Sequence, residues 1–132
     1  MKAIDRRRYF RLPKNYKVKV SLLRYPLGNQ KWYEVHSLDI GKGGVRLIFP
    51  CKLDKGDKLQ IKIRVPSLNK FHPSFFKVFE VETEQELVAL GEVIWIGEKK
   101  IDGYEVGVKF IDVFEDDLRA LRDFLEEQRG KG

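Results

Sequence analysis

Residues 57–65 alternate without a miss, with Leu59, Ile61, Ile63 and Val65 on one side and Lys58, Gln60, Lys62 and Arg64 on the other. A period of two is the mark of a strand with one buried and one wet face, because successive side chains of an extended chain point in opposite directions. The same period runs through residues 15–24, where Tyr16, Val18, Val20 and Leu22 alternate with Lys17, Lys19 and Ser21. Pro26, Gly28 and Asn29 then turn the chain. Trp32 to Ile40 returns as a second strand, with Tyr33, Val35 and Ser37 opposite Trp32, Glu34 and His36. The run Gly41-Lys42-Gly43-Gly44 reads as a loop, and Val45 to Phe49 as a third short strand closed by Pro50. Val88 to Ile96, interrupted by Gly91, and Tyr104 to Phe110 are two further strands joined through the turn at Lys99 to Gly103. With 57–65, that makes six principal strands. Residues 66–86, with Pro66 and Pro73 ahead of an aromatic run and an acidic tract, read as an insertion with room for one extra strand.

After Ile111 the period changes. Phe114, Leu118, Leu121 and Leu125 fall at i, i+4, i+7 and i+11, the spacing of one helical stripe. Asp112 with Glu115 three residues later has the form of a capping box, and Asp116 and Asp117 suit the positive end of the helix dipole. The expected helix covers 112–129 and ends before Gly130. Six alternating strands followed by one amphipathic helix imply an all-β fold with a C-terminal helix, a small six-stranded antiparallel β-barrel with the helix packed outside it or over one end. At 132 residues the chain has room for one core, so it is read as a single domain over 1–132.

The charge is local. Residues 1–24 hold nine Lys and Arg against Asp5, a net +8, while 17 basic and 19 acidic side chains leave the remainder at −2. A basic arm on a near-neutral body suits an anionic partner held at one place, and suits equally a solvated tail. Cys51 has no cysteine to pair with, and together with His36 and His72 it makes no pair of ligands at metal spacing. No stretch approaches the ~20 apolar residues of a membrane-spanning helix, and the first residues lack the apolar core of a secretory signal. The expectation is a cytoplasmic protein with no membrane insertion and no metal or other cofactor. No nucleophile stands beside a base and no carboxylates cluster, so the chain does not read as an enzyme.

Two segments at strand boundaries carry recognisable chemistry. In Arg6-Arg7-Arg8-Tyr9-Phe10-Arg11, each guanidinium offers a planar fork that fits a phosphate or the O6 and N7 edge of guanine. In Asp39-Ile40-Gly41-Lys42-Gly43-Gly44, glycines admit a ligand close to the backbone, and the carboxylate accepts from the N1–H and N2–H₂ donors of guanine. Singly, the first is as consistent with solvated surface and the second with a plain hairpin. Trp32 and Trp95 read as core or barrel-rim aromatics, His36 as a surface histidine, and Cys51 as a bystander.

Taken together, the two segments resemble the PilZ domain family, whose signature is Arg-x-x-x-Arg followed by Asp/Asn-x-Ser-x-x-Gly before the third strand. Arg7-Arg8-Tyr9-Phe10-Arg11 fits the first motif and Asp39 to Gly44 fits the second, except that Gly41 stands where the family has serine. The stretches Gly91 to Trp95 and Tyr104 to Phe110 and the terminal helix are similar to that family too, over nearly the whole chain apart from 66–86. The resemblance implies a receptor for cyclic di-GMP, bound between a flexible arginine arm at 1–12 and the barrel surface, that passes the binding event to a protein partner. It implies that Arg7 and Arg11 contact phosphate and the guanine edge, that Arg8 stacks or adds charge, that Asp39 takes guanine donors and that Gly44 shapes the loop. At Gly41 it implies one missing hydroxyl, a hydrogen bond of about 0.5–1.5 kcal/mol, or about 3 with a charged partner, so that Gly41→Ser is expected to keep or improve affinity. A PilZ-like adaptor that no longer binds nucleotide is the alternative, favoured by Gly41 and opposed by the intact arginine pair. A barrel for single-stranded nucleic acid would need cations spread along the body, which is net acidic. The sequence itself names neither the protein partner nor an oligomeric state.

Overall fold

The clean alternation of 57–65 becomes the strand that closes the sheet. The computed structural model describes residues 10–23, 30–66, 68 and 86–131. Among the described residues six strands, β1 (Lys17–Leu22), β2 (Trp32–Gly41), β3 (Gly44–Phe49), β4 (Lys58–Arg64), β5 (Glu86–Lys100) and β6 (Gly103–Val113), precede one helix, α1 (Glu115–Lys131). They form a closed barrel in the order β1-β2-β3-β6-β5-β4, antiparallel at every seam. β1 makes the closure, with Val18 opposite Ile63 and Val20 opposite Ile61 on β4. All four are fully buried, so the apolar member of each alternating pair fills the interior. The described arginine-proximal residues join this wall: Leu12 and Ile40 exchange two backbone hydrogen bonds, of 2.7 and 2.9 Å. Leu12 is buried, and Phe10 packs against the core. Residues 1–9 of the expected arm, Arg7 and Arg8 among them, and nearly all of the 66–86 insertion lie outside the described residues.

One irregularity decides which way the second motif faces. On β2, Val35 and Ser37 point inward, and pure alternation would send Asp39 after them. A bulge between Ser37 and Asp39 inserts an extra residue, so Ser37 pairs with Leu47 but Asp39 pairs with Arg46. The added residue reverses the parity, Ile40 turns into the core and Asp39 turns out onto the wall. Ser37 remains inside, where its hydroxyl accepts from the Tyr16 amide at 2.9 Å and donates to the Lys14 carbonyl at 2.5 Å.

The helix differs from the sequence expectation at both ends: it runs through Gly130 to Lys131 instead of stopping before that glycine, and it starts later. β6 runs on to Val113, and Asp112 pairs with Leu90, so Asp112 is a strand residue and no capping box forms. The first intrahelical bond runs from the Leu118 amide to the Phe114 carbonyl at 3.0 Å, which leaves Phe114 just outside the helix and exposed. The buried stripe is therefore Ala120, Leu121, Phe124 and Leu125, which keeps two of the four expected positions and replaces the others. Glu115, Asp116 and Asp117 do occupy the first turn, against the positive end of the dipole. Phe124 meets the Tyr16 ring at 6.5 Å between centroids, tilted by 58°, which ties α1 to the residue leading into β1. Among the described residues no helix is long and apolar enough to cross a membrane.

Phe124→Ala removes a buried aromatic from the contact that joins the helix to Tyr16, and urea unfolding should show a loss of about 3–5 kcal/mol. Burial pushes the Tyr16 phenol above its ordinary 10.0. Its contribution to stability is therefore complete below that value and lost as pH rises through the higher folded-state pKa. Melting temperature should fall with pH in that alkaline range, and less steeply in Tyr16→Phe.

Candidate functional site

Barrel register lines up four residues from four different strands. Asp39 on β2 pairs with Arg46 on β3, Arg46 with Gly107 on β6, and Gly107 with Trp95 on β5. The row crosses the outer wall as carboxylate, guanidinium, gap and indole. Trp95 reaches this register because a second bulge, between Val93 and Trp95, adds a residue to β5. The gap is needed: a Cβ at Gly107 would lie 2.2 Å from Nε1 and 2.4 Å from Cε2 of Trp95, so the indole lies directly on the glycine backbone.

Arg11 completes the row at its β2 end. Its Nε and Nη2 both donate to Asp39 Oδ1, at 3.0 and 2.5 Å, while Arg46 Nε donates to Asp39 Oδ2 at 2.9 Å. Arg46 also donates through Nη1 to Glu105 Oε2 at 2.7 Å, and Lys100 stands 3.8 Å from the other Glu105 oxygen. The Asp39 side chain keeps only 9% of its surface exposed, whereas Arg46 keeps 38%. Burial alone would lower the Arg46 pKa, but the hydrogen bond to Glu105 and the charge of Asp39 outweigh it and hold the guanidinium above its ordinary value. The cluster is thus a fixed set of charges, in which described residues fill three of the roughly four acceptor positions of Asp39.

Beside it opens a cleft of about 640 Å³, whose walls include Arg11, Asp39, Gly44, Arg46, Trp95 and Lys109. That size falls in the usual range for small-molecule sites. The structure thus brings Arg11, Asp39 and Gly44 together. Gly41, buried, ends β2 opposite Gly44. Gly44 sits in a strand rather than a loop, and a Cβ there would meet the Val108 carbonyl oxygen at 2.1 Å, so it permits the close approach of β3 and β6. Arg46, Trp95, Glu105 and Lys109 were not legible as site residues. Of the two places expected for Trp95 and Trp32, core or barrel rim, the buried core holds neither: Trp95 lines the cleft, and Trp32 is 38% exposed with the Lys62 ammonium 4.9 Å from its ring centre. His36 and Cys51 are both exposed. Among the described residues no three metal-ligating side chains gather.

A family model described as the PilZ domain matches residues 5–127. Several solved structures are similar. The Bacillus subtilis inhibitor of motility (MotI/DgrA) superposes with a TM-score of 0.70 at 18% identity over 97% of this chain and 53% of its own. The PilZ domain of Escherichia coli YcgR with c-di-GMP gives 0.61 at 18% over 96% of this chain and 97% of that one. The MrkH–c-di-GMP complex of K. pneumonia gives 0.66 at 17% over 97% and 54%. These likenesses establish the barrel with its helix, and the chain spans about half of MotI and of MrkH. No curated protein matches.

Gly107→Ala should lift Trp95 from its seat without unfolding the barrel. In a Trp32→Phe background, tryptophan emission should move to the red, and unfolding should show an overpacking cost of about 1–3 kcal/mol.

Proposed function

The chain belongs to the PilZ domain family, and from that membership we propose that it is a receptor for cyclic di-GMP that binds the nucleotide in the Arg11–Asp39–Trp95 cleft. The observation that carries this reading is the ion cluster on the cleft wall, where two arginines stand ready on one carboxylate. Each guanidinium has five N–H donors, and Asp39 and Glu105 leave part of each set unused. Phosphodiester oxygens and the O6 and N7 edge of guanine are the acceptors those forks match. Asp39 keeps about one acceptor position for a guanine N–H, and the indole of Trp95 offers a flat face to a purine. The YcgR domain and MrkH, similar in fold, were both solved with this nucleotide.

In this reading Arg7 and Arg8 add phosphate contacts, while Gly41 leaves room for Arg11 and Gly44 shapes the strand end beside the cleft by letting β3 and β6 approach closely. The chemistry is recognition rather than catalysis, no cofactor takes part, and the product is a changed surface read by a protein partner in the cytoplasm. Nucleic acid has no part in it.

Calorimetric titration with cyclic di-GMP, cyclic di-AMP and GTP tests the reading. Guanine discrimination of about 1–3 kcal/mol per bidentate contact corresponds to roughly 5- to 150-fold, so cyclic di-GMP should bind at least that much more tightly than cyclic di-AMP. Arg11→Ala should weaken it by about tenfold or more, the worth of hydrogen bonds to a charged group. Equal affinity for the two cyclic dinucleotides would overturn guanine recognition.

A further inference from the structure

Arg11 follows a defined path to Asp39. The antiparallel bridge between Leu12 and Ile40 sets the preceding residue, Arg11, beside the following one, Gly41. Gly41 and Asp39 are two apart on one strand, so they share the outer face and the Arg11 side chain must cross Gly41 to reach the carboxylate. A Cβ at Gly41 would lie 2.8 Å from Arg11 Nη1, 3.0 Å from Arg11 Cδ and 3.1 Å from the Phe10 carbonyl oxygen. Ordinary carbon contacts begin near 3.5 Å. The guanidinium therefore occupies the volume that any side chain at Gly41 would need.

We infer that Gly41 is a positioning residue: the side chain it lacks is the seat of Arg11, which holds the guanidinium on Asp39 before any ligand arrives. Two of the three close atoms belong to Arg11 itself, a flexible side chain, so a larger residue at Gly41 displaces the arginine rather than the barrel. This reverses the value of the substitution read from sequence. A serine hydroxyl would bring one more hydrogen-bonding group to the cleft but would remove a pre-placed charge from it. A preorganised arginine spares the ligand the cost of ordering that long side chain.

The nucleotide half of this inference rests on the cyclic di-GMP reading, and the test separates the two. In the full chain labelled with ¹⁵N, the Arg11 Nε–H signal, identified by its loss in Arg11→Lys, should exchange slowly without ligand. Gly41→Ala and Gly41→Ser, shown to be folded by their amide spectra, should speed that exchange by about tenfold or more, as expected on losing hydrogen bonds to a carboxylate. Gly41→Ser should also bind cyclic di-GMP about tenfold or more weakly, and no more weakly in an Arg11→Ala background than Arg11→Ala alone. If Arg11 Nε–H exchange is unchanged in both variants, the seat is overturned whatever the nucleotide does. If Gly41→Ser binds as tightly as the wild type or more so, Gly41 is only a missing hydroxyl. If exchange rises as expected but the wild type binds no cyclic di-GMP, the seat stands and the choice of ligand falls.

Discussion

The ladder between β1 and β4, with Val18 opposite Ile63 and Val20 opposite Ile61, removes the two open edges that a six-stranded sheet would present. Closure does more than protect backbone groups. In a barrel the register of each seam is fixed by its neighbours, and a slip of one residue would carry a whole apolar set from the interior to the solvent. Outward side chains on different strands therefore have fixed neighbours, although no core contact concerns them directly. Asp39, Arg46, Gly107 and Trp95 stand in one row for this reason, and two bulges adjust the row where simple alternation would have missed it.

The electrostatics of that row follow from its depth. Asp39 is nearly covered, and a covered carboxylate is costly unless charged donors surround it. Arg11 and Arg46 meet that need from opposite sides, one on each oxygen. Arg46 is itself balanced by Glu105, so the cluster extends across β2, β3 and β6 and ends at Lys100 near the tip of the β5–β6 hairpin. An anion entering the cleft meets guanidinium groups already oriented by carboxylates, together with the side chain of Lys109 on the wall. Orientation in advance matters because the proposed contacts are angular, and an arginine free to rotate must lose that freedom when it binds.

Much of this was legible in the chain, and the divisions are physical. Strand positions came from alternation, a local signal, and all six strands formed where it placed them, with β5 and β6 extending past the pattern at both ends. The helix was legible, but its phase was not. Phe114 and Leu118 fit the stripe by spacing alone: the continuation of β6 to Val113 moved the helix start past Phe114, and Leu118, inside the helix, is only half-buried. Arg11 and Asp39 stood out because their motifs are short runs. Arg46 and Trp95 did not, because their membership depends on both pairing with Gly107, about 60 positions beyond Arg46 in sequence, and on two bulges without a composition signal.

Gly41 shows how a motif and a structure can assign one residue different roles. Compared with a serine, a glycine looks like a deficit of one hydroxyl, since sequence counts atoms that are present. The structure adds what fills the space. Here the volume is taken by Arg11, delivered by the Leu12–Ile40 pairing, and the contact runs from an arginine to a residue 30 positions later. The backbone hydrogen bonds at Leu12 thus place Arg11 within the barrel's own architecture: the same pairing that buries Leu12 against the core commits its neighbour to the outer wall. Alternation, the rule that builds the core, therefore also sets the first charge of the site.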